Sequence, residues 1–290
     1  MIGKQKIKQV LRKAPWLGIA AVKAVRPVQF YKEKQAYNGG SQEAKNQQPS
    51  LVYFSHYRCA SMMVNRRLLD LLAGKNYRQL DYQGYVHPWS IERREAFQGD
   101  SEAHEQFKRF PQRGHYFGPL RYFVDIPHLD KLKPITVLRD PRDVLVSRYY
   151  SEKYNHVRLD TRFLRHCESI ASLSLDEFVL AFKEDVGSHY NLYLKNKAAL
   201  ESGLMFPYEE LIKDFRGFLG AVNDFVGLER SASFLDAVAS QESFVVDKEN
   251  RFSHKRSVEA RNFEKKLKPE TIEELNQFFS EMLLAFDWEI

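Results

Sequence analysis

Two stretches of this chain each combine an arginine with a nearby serine hydroxyl, and this combination can bind a phosphate or a sulfate. In the first stretch, Arg139 ends an apolar run and Ser147 lies two turns into the helix that follows. Free N–H groups and the dipole at a helix N-terminus would add to the attraction for an anion. The alternative is that Arg139 pairs with Asp140 or Asp143 and that Ser147 is a solvated helix residue. Spacing alone leaves both interpretations open.

The second stretch runs from His56 to Ser61 and lies between an apolar run and a helical pattern. It offers the Arg58 guanidinium, backbone N–H groups from small residues and the Ser61 hydroxyl, and such a loop can surround a phosphate or a sulfate. It is not a Walker A loop, because the pattern GxxxxGK[ST] is absent. The alternative is that Arg58 is a surface residue and that residues 59–61 only form a tight turn.

Alternating strands and helices must position these two stretches. Apolar runs predict strands at residues 51–55, 77–81, 135–138 and 204–207. Helical spacing of apolar residues predicts helices at residues 61–73, 141–151, 174–183, 187–201, 211–226 and 269–286. The helix after Arg139 has a strong start signal, with Asp140 at the N-cap and Pro141 at the first helical position. Because parallel strands need helical crossovers, we expect an α/β fold, a single domain with a central, mostly parallel sheet flanked by helices.

Composition bounds the class of protein. The formal net charge of +6 favours an anionic ligand or surface, but it does not choose among nucleic acid, lipid headgroups and a small nucleotide. The chain has only two cysteines, so neither a disulfide framework nor a cysteine-based zinc site is supported. A reducing, cytoplasmic compartment is therefore the expectation.

The chain divides at about residue 50. Residues 1–50 are interpreted as a basic N-terminal extension followed by a polar linker, and residues 51–290 as the folded domain. The apolar run at residues 16–22 is too short to span a bilayer. A basic amphipathic helix there could pack on the protein body or lie on an anionic membrane, so peripheral membrane contact stays open.

Two further stretches carry residues of chemical interest. Residues 113–134 contain several glycines and prolines and are predicted to be a long loop with three candidate polar side chains, His115, Arg121 and His128. A lone histidine is more often a hydrogen-bonded structural residue than a base. Residues 247–266 are polar and basic and are also predicted to be a loop; a charge run of this kind is often a solvated face.

The first arginine stretch resembles the 3′-phosphate motif of the sulfotransferases that use 3′-phosphoadenosine 5′-phosphosulfate (PAPS). The matching residues are Arg139 to Asp143, followed by Val146, Ser147, Tyr149 and Ser151. The second stretch, Arg58 to Met62, is similar to the 5′-phosphosulfate loop of the family, with Ala60 in the place of a glycine and Met62 in the place of a second hydroxyl. Two later segments also resemble the family, Tyr208 to Leu211 and His254 to Ser257.

The resemblance implies a P-loop NTPase-like fold over residues 51–288 and a PAPS site made of both stretches. Arg139 and Ser147 would hold the 3′-phosphate, with Lys255 and Arg256 adding to that site. The 5′-phosphosulfate would lie on the loop residues Arg58, Cys59, Ala60, Ser61 and Met62. The resemblance also places Tyr208 in the cofactor-binding set.

The reaction that the resemblance implies is in-line transfer of a sulfuryl group to an acceptor hydroxyl or, less expected, an amine. Arg58 would stabilise the leaving phosphate, and no metal is required. Many family members use a histidine in the loop before the 3′-phosphate strand as the base, which makes His115 the first candidate and His56 the second.

The acceptor is not identified by the sequence. A carbohydrate, a lipid or another small molecule is expected, nucleic acid is not, and the oligomeric state stays open. Two other functions remain alternatives, a nucleotide kinase and a non-catalytic nucleotide- or anion-binding protein with a degenerate pocket. The missing Walker A lysine counts against the kinase.

Overall fold

The computed structural model describes residues 46–81, 110–121, 128–155, 161–242 and 258–289, together with Val28, Tyr31, Phe123, Ile126 and Phe244. The strands are β1 Leu51–Ser55, β2 Arg78–Leu80, β3 His115–Leu120, β4 Lys133–Leu138 and β5 Leu204–Pro207. The helices up to β5 are α1 Ser61–Leu72, α2 Pro141–Tyr150, α3 Thr161–Ile170, α4 Leu175–Lys195 and α5 Lys197–Glu201. Those after β5 are α6 Tyr208–Lys213, α7 Phe215–Val226, α8 Ala232–Ala239, α9 Asn262–Lys266, α10 Pro269–Phe278 and α11 Ser280–Ala285. A 3₁₀ turn at Leu129–Lys131 and a π-helical turn at Ser151–Asn155 complete the set.

The five strands form one parallel sheet in the order β2-β3-β1-β4-β5. Strands β1 and β4 are neighbours, and their register pairs Ser55 with Val137, so both end at the same edge of the sheet. The expectation of a mostly parallel α/β sheet in one domain is confirmed. In such sheets the carboxyl ends of the strands are where ligands bind.

Alternate residues of the strands pack on opposite faces of the sheet, as the two-residue period of a strand requires. Leu51 and Tyr53 face a core shared with α1, α6, α7 and α8. Val52 and Phe54 face the other side, where α4, α5 and α11 supply the apolar partners. A third cluster fixes α2 against α4, α10 and α11. The sheet is therefore the middle of three layers, and helices cover both faces.

Strands β1 and β5 have the bounds that the sequence predicts, and the start of α2 is also confirmed. The side chain of Asp140 accepts a hydrogen bond from the Arg142 amide, and Pro141 occupies the first turn. Two predicted helices are instead interrupted. Asp214 separates α6 from α7 because its side chain caps α7 at the Gly217 amide.

Other predicted helices differ in extent. The helices predicted at 174–183 and 187–201 are one long helix, α4, and a short one, α5. The helix predicted at 269–286 is divided into α10 and α11. Within the residues predicted to be a loop at 247–266, the structure has α9, whereas residues 245–257 lie outside the described part.

The folded body extends before residue 51. The Gly114 amide donates to the Gln48 carbonyl at 2.8 Å, and the Ser50 amide donates to the Gln112 carbonyl at the same distance. Residues 46–50 therefore belong to the domain rather than to a linker. Apart from Val28 and Tyr31, residues 1–45 lie outside the described part, and so does the predicted basic helix. Among the described helices, none has the length and apolarity needed to cross a membrane.

Candidate functional site

The two predicted anion-binding stretches meet at the carboxyl edge of the sheet. Because β1 and β4 are adjacent, the loop after β1 faces the first turns of α2. Arg58 Nε donates to the Ser147 hydroxyl at 3.1 Å. Arg139 Nη1 reaches back to the Arg58 carbonyl oxygen at 3.4 Å. Each stretch thus contributes an arginine to one cationic site, which the local sequence alone did not establish.

The loop after β1 has a backbone conformation that suits an anion. Arg58 and Ala60 both have positive φ angles, 72° and 56°, on either side of Cys59. The Cys59 amide donates to the His56 carbonyl at 3.4 Å, whereas the first N–H groups of α1, which begins at Ser61, have no partner within their own helix. Ser61 is buried, whereas 55% of the surface of the Met62 residue is exposed. Burial raises the pKa of the Cys59 thiol to about 12, so this cysteine is a neutral packing residue.

Arg139 is a buried cation at the centre of the site. Its Nη2 atom donates to Asp143 Oδ2 at 3.0 Å and to the Glu259 carbonyl at 2.9 Å. Its guanidinium lies 4.5 Å from the centroid of the Tyr208 ring. Burial is the largest single effect and acts to lower the pKa of Arg139, but Asp143 and the other neighbouring groups that can carry negative charge together outweigh it, so the pKa lies above its ordinary value. Among the described residues, no hydrogen-bond acceptor faces its Nε atom.

The structure also contains an ion pair between Arg139 and an acidic neighbour, which was the alternative interpretation of this arginine. It pairs with Asp143, whereas Asp140 pairs with Arg142 at 2.6 Å. The buried Nε–H group of Arg139 has no acceptor among the described residues. Because an unpaired buried N–H is costly, this group favours an added acceptor such as an oxygen atom of a ligand. Ion pairing and anion binding are therefore compatible at this residue.

Two residues directly after β5, the buried Tyr208 and the half-buried Glu209, complete this side of the site. Tyr208 lies under the Arg139 guanidinium, and the next residue, Glu209, accepts a hydrogen bond from the Asp140 amide at 3.2 Å. Glu209 also accepts from Trp288 Nε1 at 3.3 Å. Burial raises the pKa of the Glu209 carboxyl. The segment from β5 into α6 therefore supports the corner after β4.

His56 lies beside Arg58 in the chain and is buried at the end of β1. Its Nδ1 atom is 3.0 Å from the Tyr57 carbonyl oxygen, which accepts a hydrogen bond only if Nδ1 carries the proton. Nε2 then holds the lone pair, and no described residue donates to it. Burial lowers the pKa of His56 to about 3, helped by His189, whose ring centroid is 5.6 Å away. His56 is therefore a neutral imidazole whose buried Nε2 atom has no donor partner among the described residues.

The structure does not bring His115 to this site. His115 is the first residue of β3, and its amide donates to the Ser50 hydroxyl at the amino edge of the sheet. Arg58 lies beyond the opposite end of β1, and five residues of strand span roughly 16 Å. This position, far from Arg58, counts against the prediction that His115 is the catalytic base. Within the predicted loop at residues 113–134, residues 115–120 form the strand β3, which lies between β1 and β2 in the sheet.

Other predicted residues have different outcomes. Lys255, Arg256 and the rest of the predicted basic segment at 254–257 lie outside the described residues. Arg121, which follows β3, lies at the carboxyl edge, and its guanidinium is 5.0 Å from the centroid of the Tyr57 ring. The bonds to Glu259 and Phe263 were not predicted, because backbone groups 120 residues away give no local signal.

The assembled site can bind an elongated anion. The Arg139 and Arg58 guanidinium groups, the Ser147 and Ser61 hydroxyls and the N-terminus of α1 all favour negative charge at the same edge of the sheet. No group of three or more histidine, cysteine or acidic residues in the described part could hold a metal ion. The side chains of the site can stabilise negative charge and accept a proton.

Comparison with known proteins gives a consistent family. A family model described as the sulfotransferase domain matches residues 119–287, which is more than half of the chain. Sulfotransferase 2A6 of Rattus norvegicus is 31% identical over 139 residues, which are 47% of this chain and 46% of that protein. The 3-beta-hydroxysteroid sulfotransferase of Cavia porcellus is 31% identical over 142 residues, which cover 47% and 45% of the two chains. The matched stretch thus spans about half the length of these curated relatives.

Solved structures support the same fold. The mouse sulfotransferase SULT7A1, complexed with PAP, has a TM-score of 0.56 at 14% identity, and the match covers 88% of this chain and 91% of that one. A retinol dehydratase in complex with androsterone and the inactive cofactor PAP has a TM-score of 0.54 at 16% identity, with coverage of 87% and 85%. At these identities the likeness concerns the fold.

Proposed function

This chain belongs to the sulfotransferase domain family, and on that premise we propose that it transfers a sulfuryl group from PAPS to a hydroxyl group of a small-molecule acceptor. The observation that carries the proposal is the hydrogen bond between Arg58 and Ser147. It joins the two family-like motifs, which are 89 residues apart in the sequence, into one cationic site. A structural neighbour of the same fold was solved with PAP, the desulfated form of this cofactor.

The residues of the site fit the two charged ends of PAPS. Arg139 and Ser147 are proposed to hold the 3′-phosphate, and the buried Nε atom of Arg139 supplies a donor that no described residue uses. Arg58, Ser61 and the backbone N–H groups from Cys59 to Met62 are proposed to hold the 5′-phosphosulfate. Tyr208 packs under Arg139 and fixes its plane. Lys255 and Arg256 remain proposed contributors to the 3′-phosphate site.

The bound cofactor would supply an activated sulfuryl group, so the protein has to orient the reactants and stabilise charge. Arg58 is proposed to neutralise the negative charge that appears on the phosphate oxygen as the bond to sulfur breaks. A guanidinium that is already held in position does this without reorganisation at the moment of reaction.

His56 is the proposed base, in preference to His115. Nε2 of His56 carries a lone pair at the carboxyl edge, close in sequence to Arg58, whereas His115 lies at the amino edge. His56 would take the acceptor proton as the new oxygen–sulfur bond forms. Its low pKa keeps Nε2 unprotonated near neutrality and also makes it a weak base, so its proposed role rests on its position rather than on its basicity.

For the acceptor we propose only chemical classes, and for the location of the protein only a type of compartment. One curated relative is named for 3-beta-hydroxysteroids, and a structural neighbour holds androsterone, so we include steroid and other lipid alcohols with carbohydrate hydroxyls among the acceptors to be tested. We also propose a reducing, cytoplasmic setting, which is supported by Cys59 and Cys167 being thiols rather than a disulfide.

Titration with adenosine 3′,5′-bisphosphate tests the proposal directly. We expect the wild type to bind it more tightly than adenosine 5′-monophosphate, and Arg139→Ala to lose most of that difference because the 3′-phosphate loses its buried cation. The matched control is Arg113→Ala, since Arg113 donates to the Gln47 carbonyl at the opposite edge of the sheet. This control is expected to bind both nucleotides as the wild type does.

A transfer assay with labelled PAPS then separates an enzyme from a degenerate binding protein. The acceptors are a steroid alcohol, a phenol and a monosaccharide. Absence of bisphosphate binding by the wild type would refute the sulfotransferase proposal. Tight binding with no labelled product from any acceptor class would favour the non-catalytic alternative.

A further inference from the structure

Asp143 connects the 3′-phosphate corner to a segment near the end of the chain. Its Oδ2 atom accepts from Arg139 Nη2 at 3.0 Å, and its Oδ1 atom accepts from the Phe263 amide at 3.0 Å. The Asp143 side chain has no exposed surface. Both carboxylate oxygens are therefore committed, one to the guanidinium of the site and one to the backbone at the start of α9.

Arg139 binds the same segment at a second point. Its Nη2 atom donates to the Glu259 carbonyl at 2.9 Å as well as to Asp143. The Phe263 ring is buried, and the Arg142 guanidinium lies 4.2 Å from its centroid. The segment from Glu259 to Phe263 thus contacts three residues of the β4–α2 corner: Arg139, which directly follows β4, and Arg142 and Asp143, the second and third residues of α2.

Burial makes these attachments interdependent. A buried carboxylate that loses one hydrogen-bonding partner retains its desolvation penalty, so its remaining bonds matter more than they would in water. If the Arg139 guanidinium turns, Asp143 and the Glu259 carbonyl both lose a donor. The orientation of Arg139 and the docking of residues 259–263 are therefore expected to change together.

We propose that Asp143 is a positioning residue that couples recognition of the 3′-phosphate by Arg139 to docking of the segment Glu259–Phe263. This inference rests on the proposed function. Asp143 holds the guanidinium so that the Nε atom without an acceptor among the described residues is directed to the ligand, and the same carboxylate holds the Phe263 amide. Binding of the 3′-phosphate stabilises this arrangement of Arg139 and with it the segment.

The variant Asp143→Asn tests the coupling, because it keeps the size of the side chain and removes its charge. We expect the ratio of the affinities for adenosine 3′,5′-bisphosphate and adenosine 5′-monophosphate to fall by roughly tenfold or more, the effect of losing a charge-assisted bond. The affinity of the variant for the monophosphate is expected to stay within about twofold of the wild-type value, because the monophosphate has no 3′-phosphate for Arg139 to bind. A purely structural role would weaken both nucleotides together.

The matched control is Asp214→Asn, the same chemical change at a helix N-cap away from the site. Asp214 accepts a hydrogen bond from the Gly217 amide at the start of α7. We expect this variant to keep the wild-type affinity ratio. A changed ratio in both variants would overturn the assignment to Asp143.

A measurement on the wild type keeps the inference testable if Asp143→Asn does not fold. Hydrogen exchange at the Phe263 amide is followed without nucleotide, with the monophosphate and with the bisphosphate, at concentrations that saturate the protein. We expect the bisphosphate to slow exchange at Phe263 more than the monophosphate does. Equal protection by both nucleotides would overturn the inference.

Failure of the inference differs from failure of the proposed function. If the wild type binds no bisphosphate, the function itself is refuted. If it binds the bisphosphate, and neither the affinity ratio of Asp143→Asn nor the Phe263 exchange depends on the 3′-phosphate, the function stands and the coupling through Asp143 is refuted.

Discussion

At the scale of single residues, His56 and His115 have similar burial but lie at opposite ends of the sheet. Each has Nδ1 near a backbone carbonyl, that of Tyr57 for His56 and that of Arg113 for His115. In each ring, Nε2 has no hydrogen-bond partner among the described residues. Burial and hydrogen bonding therefore do not distinguish the two as bases. Their position in the parallel sheet does, because only His56 follows a strand at the edge where Arg58 and Arg139 lie.

The first prediction compares asparagine at these two histidines. His56→Asn should lower kcat by roughly a hundredfold, because the acceptor loses its general base. His115→Asn should leave kcat within about threefold, because its side chain lies far from the reacting groups. Steady-state kinetics with the best acceptor measure both. A larger decrease in kcat for His115→Asn than for His56→Asn would indicate that His115, at the amino edge of the sheet, is the base.

The second prediction concerns the stability of the protein in acid. Burial lowers the pKa of His56 to about 3, whereas the unfolded chain protonates it near 6.5. The unfolded state thus binds more protons between these values, and the free energy of unfolding decreases as the pH falls through this range. Between pH 7 and pH 5 this histidine should account for about 2 kcal/mol.

The variant His56→Gln isolates that contribution, because glutamine does not titrate. Urea unfolding at pH 7 and pH 5 should show a smaller decrease in stability for the variant than for the wild type. Equal decreases in the two proteins would mean that His56 is protonated in the folded state at pH 5.

At the scale of elements, the loop between β1 and α1 combines two left-handed residues that are not glycine. A side chain at positive φ costs roughly 1 kcal/mol relative to glycine. Ala60 has a φ of 56° at the N-cap of α1. The loop therefore stores backbone strain directly beside Arg58, in the position where the 5′-phosphosulfate is proposed to bind.

The third prediction is that Ala60→Gly raises the free energy of unfolding by about 0.5 to 1 kcal/mol. The reciprocal control is Gly227→Ala, at a residue with a φ of 76° that ends α7 in open space. This control should lower stability by a similar amount. Chemical denaturation measures both, and a loss of stability in Ala60→Gly would show that the strain is absent.

Local patterns predicted the elements that carry the arginines, but not β3. A short apolar run with turn residues after it is sufficient to locate β1, β5 and the start of α2. Gly118 and Pro119 lie inside β3, and a proline in a central strand counts against a strand. The register between β1 and β3 shifts between Val52 and Phe54, so an irregularity of the ladder accommodates Pro119. Only the tertiary pairing shows this.

The sequence likewise predicted which residues belong to the candidate site, but not how they are brought together. Arg58, Ser61, Arg139 and Ser147 stand out by residue type and by their place after a strand. Their contact with each other depends on the strand order, which the sequence does not show. The bonds from Asp143 and Arg139 to residues 259–263 involve backbone groups, and any residue type could supply these. His115 was placed in a loop because the direction and length of β3 were not predicted, and its position at the start of β3 is the reason that His56 is the proposed base.

At the scale of the whole molecule, a ligand that binds only the folded state raises its stability. The fourth prediction is that adenosine 3′,5′-bisphosphate at a hundred times its Kd increases the free energy of unfolding by about 2.7 kcal/mol. Thermal denaturation should therefore show a higher Tm with the nucleotide. Increasing salt should reduce the effect because the site and the ligand have opposite charges.

Arg139→Ala provides the comparison for that prediction. Its Tm should respond much less to the same concentration of the bisphosphate, although removal of a buried cation also lowers its Tm without ligand. An equal Tm increase in the variant would mean that the nucleotide binds elsewhere on the molecule.

The bonds from Arg139 and Asp143 to Glu259 and Phe263 also bear on how the protein is made. A ribosome delivers β1 and β4 long before it delivers residues 259–263, and N-terminal parts of a chain emerge first. The sheet can pair while the late segment is still inside the exit tunnel, but Asp143 then lacks the Phe263 amide. Affinity for a 3′-phosphorylated nucleotide should accordingly appear only in nascent chains that extend well beyond residue 263, so nucleotide binding would report that this segment has left the tunnel.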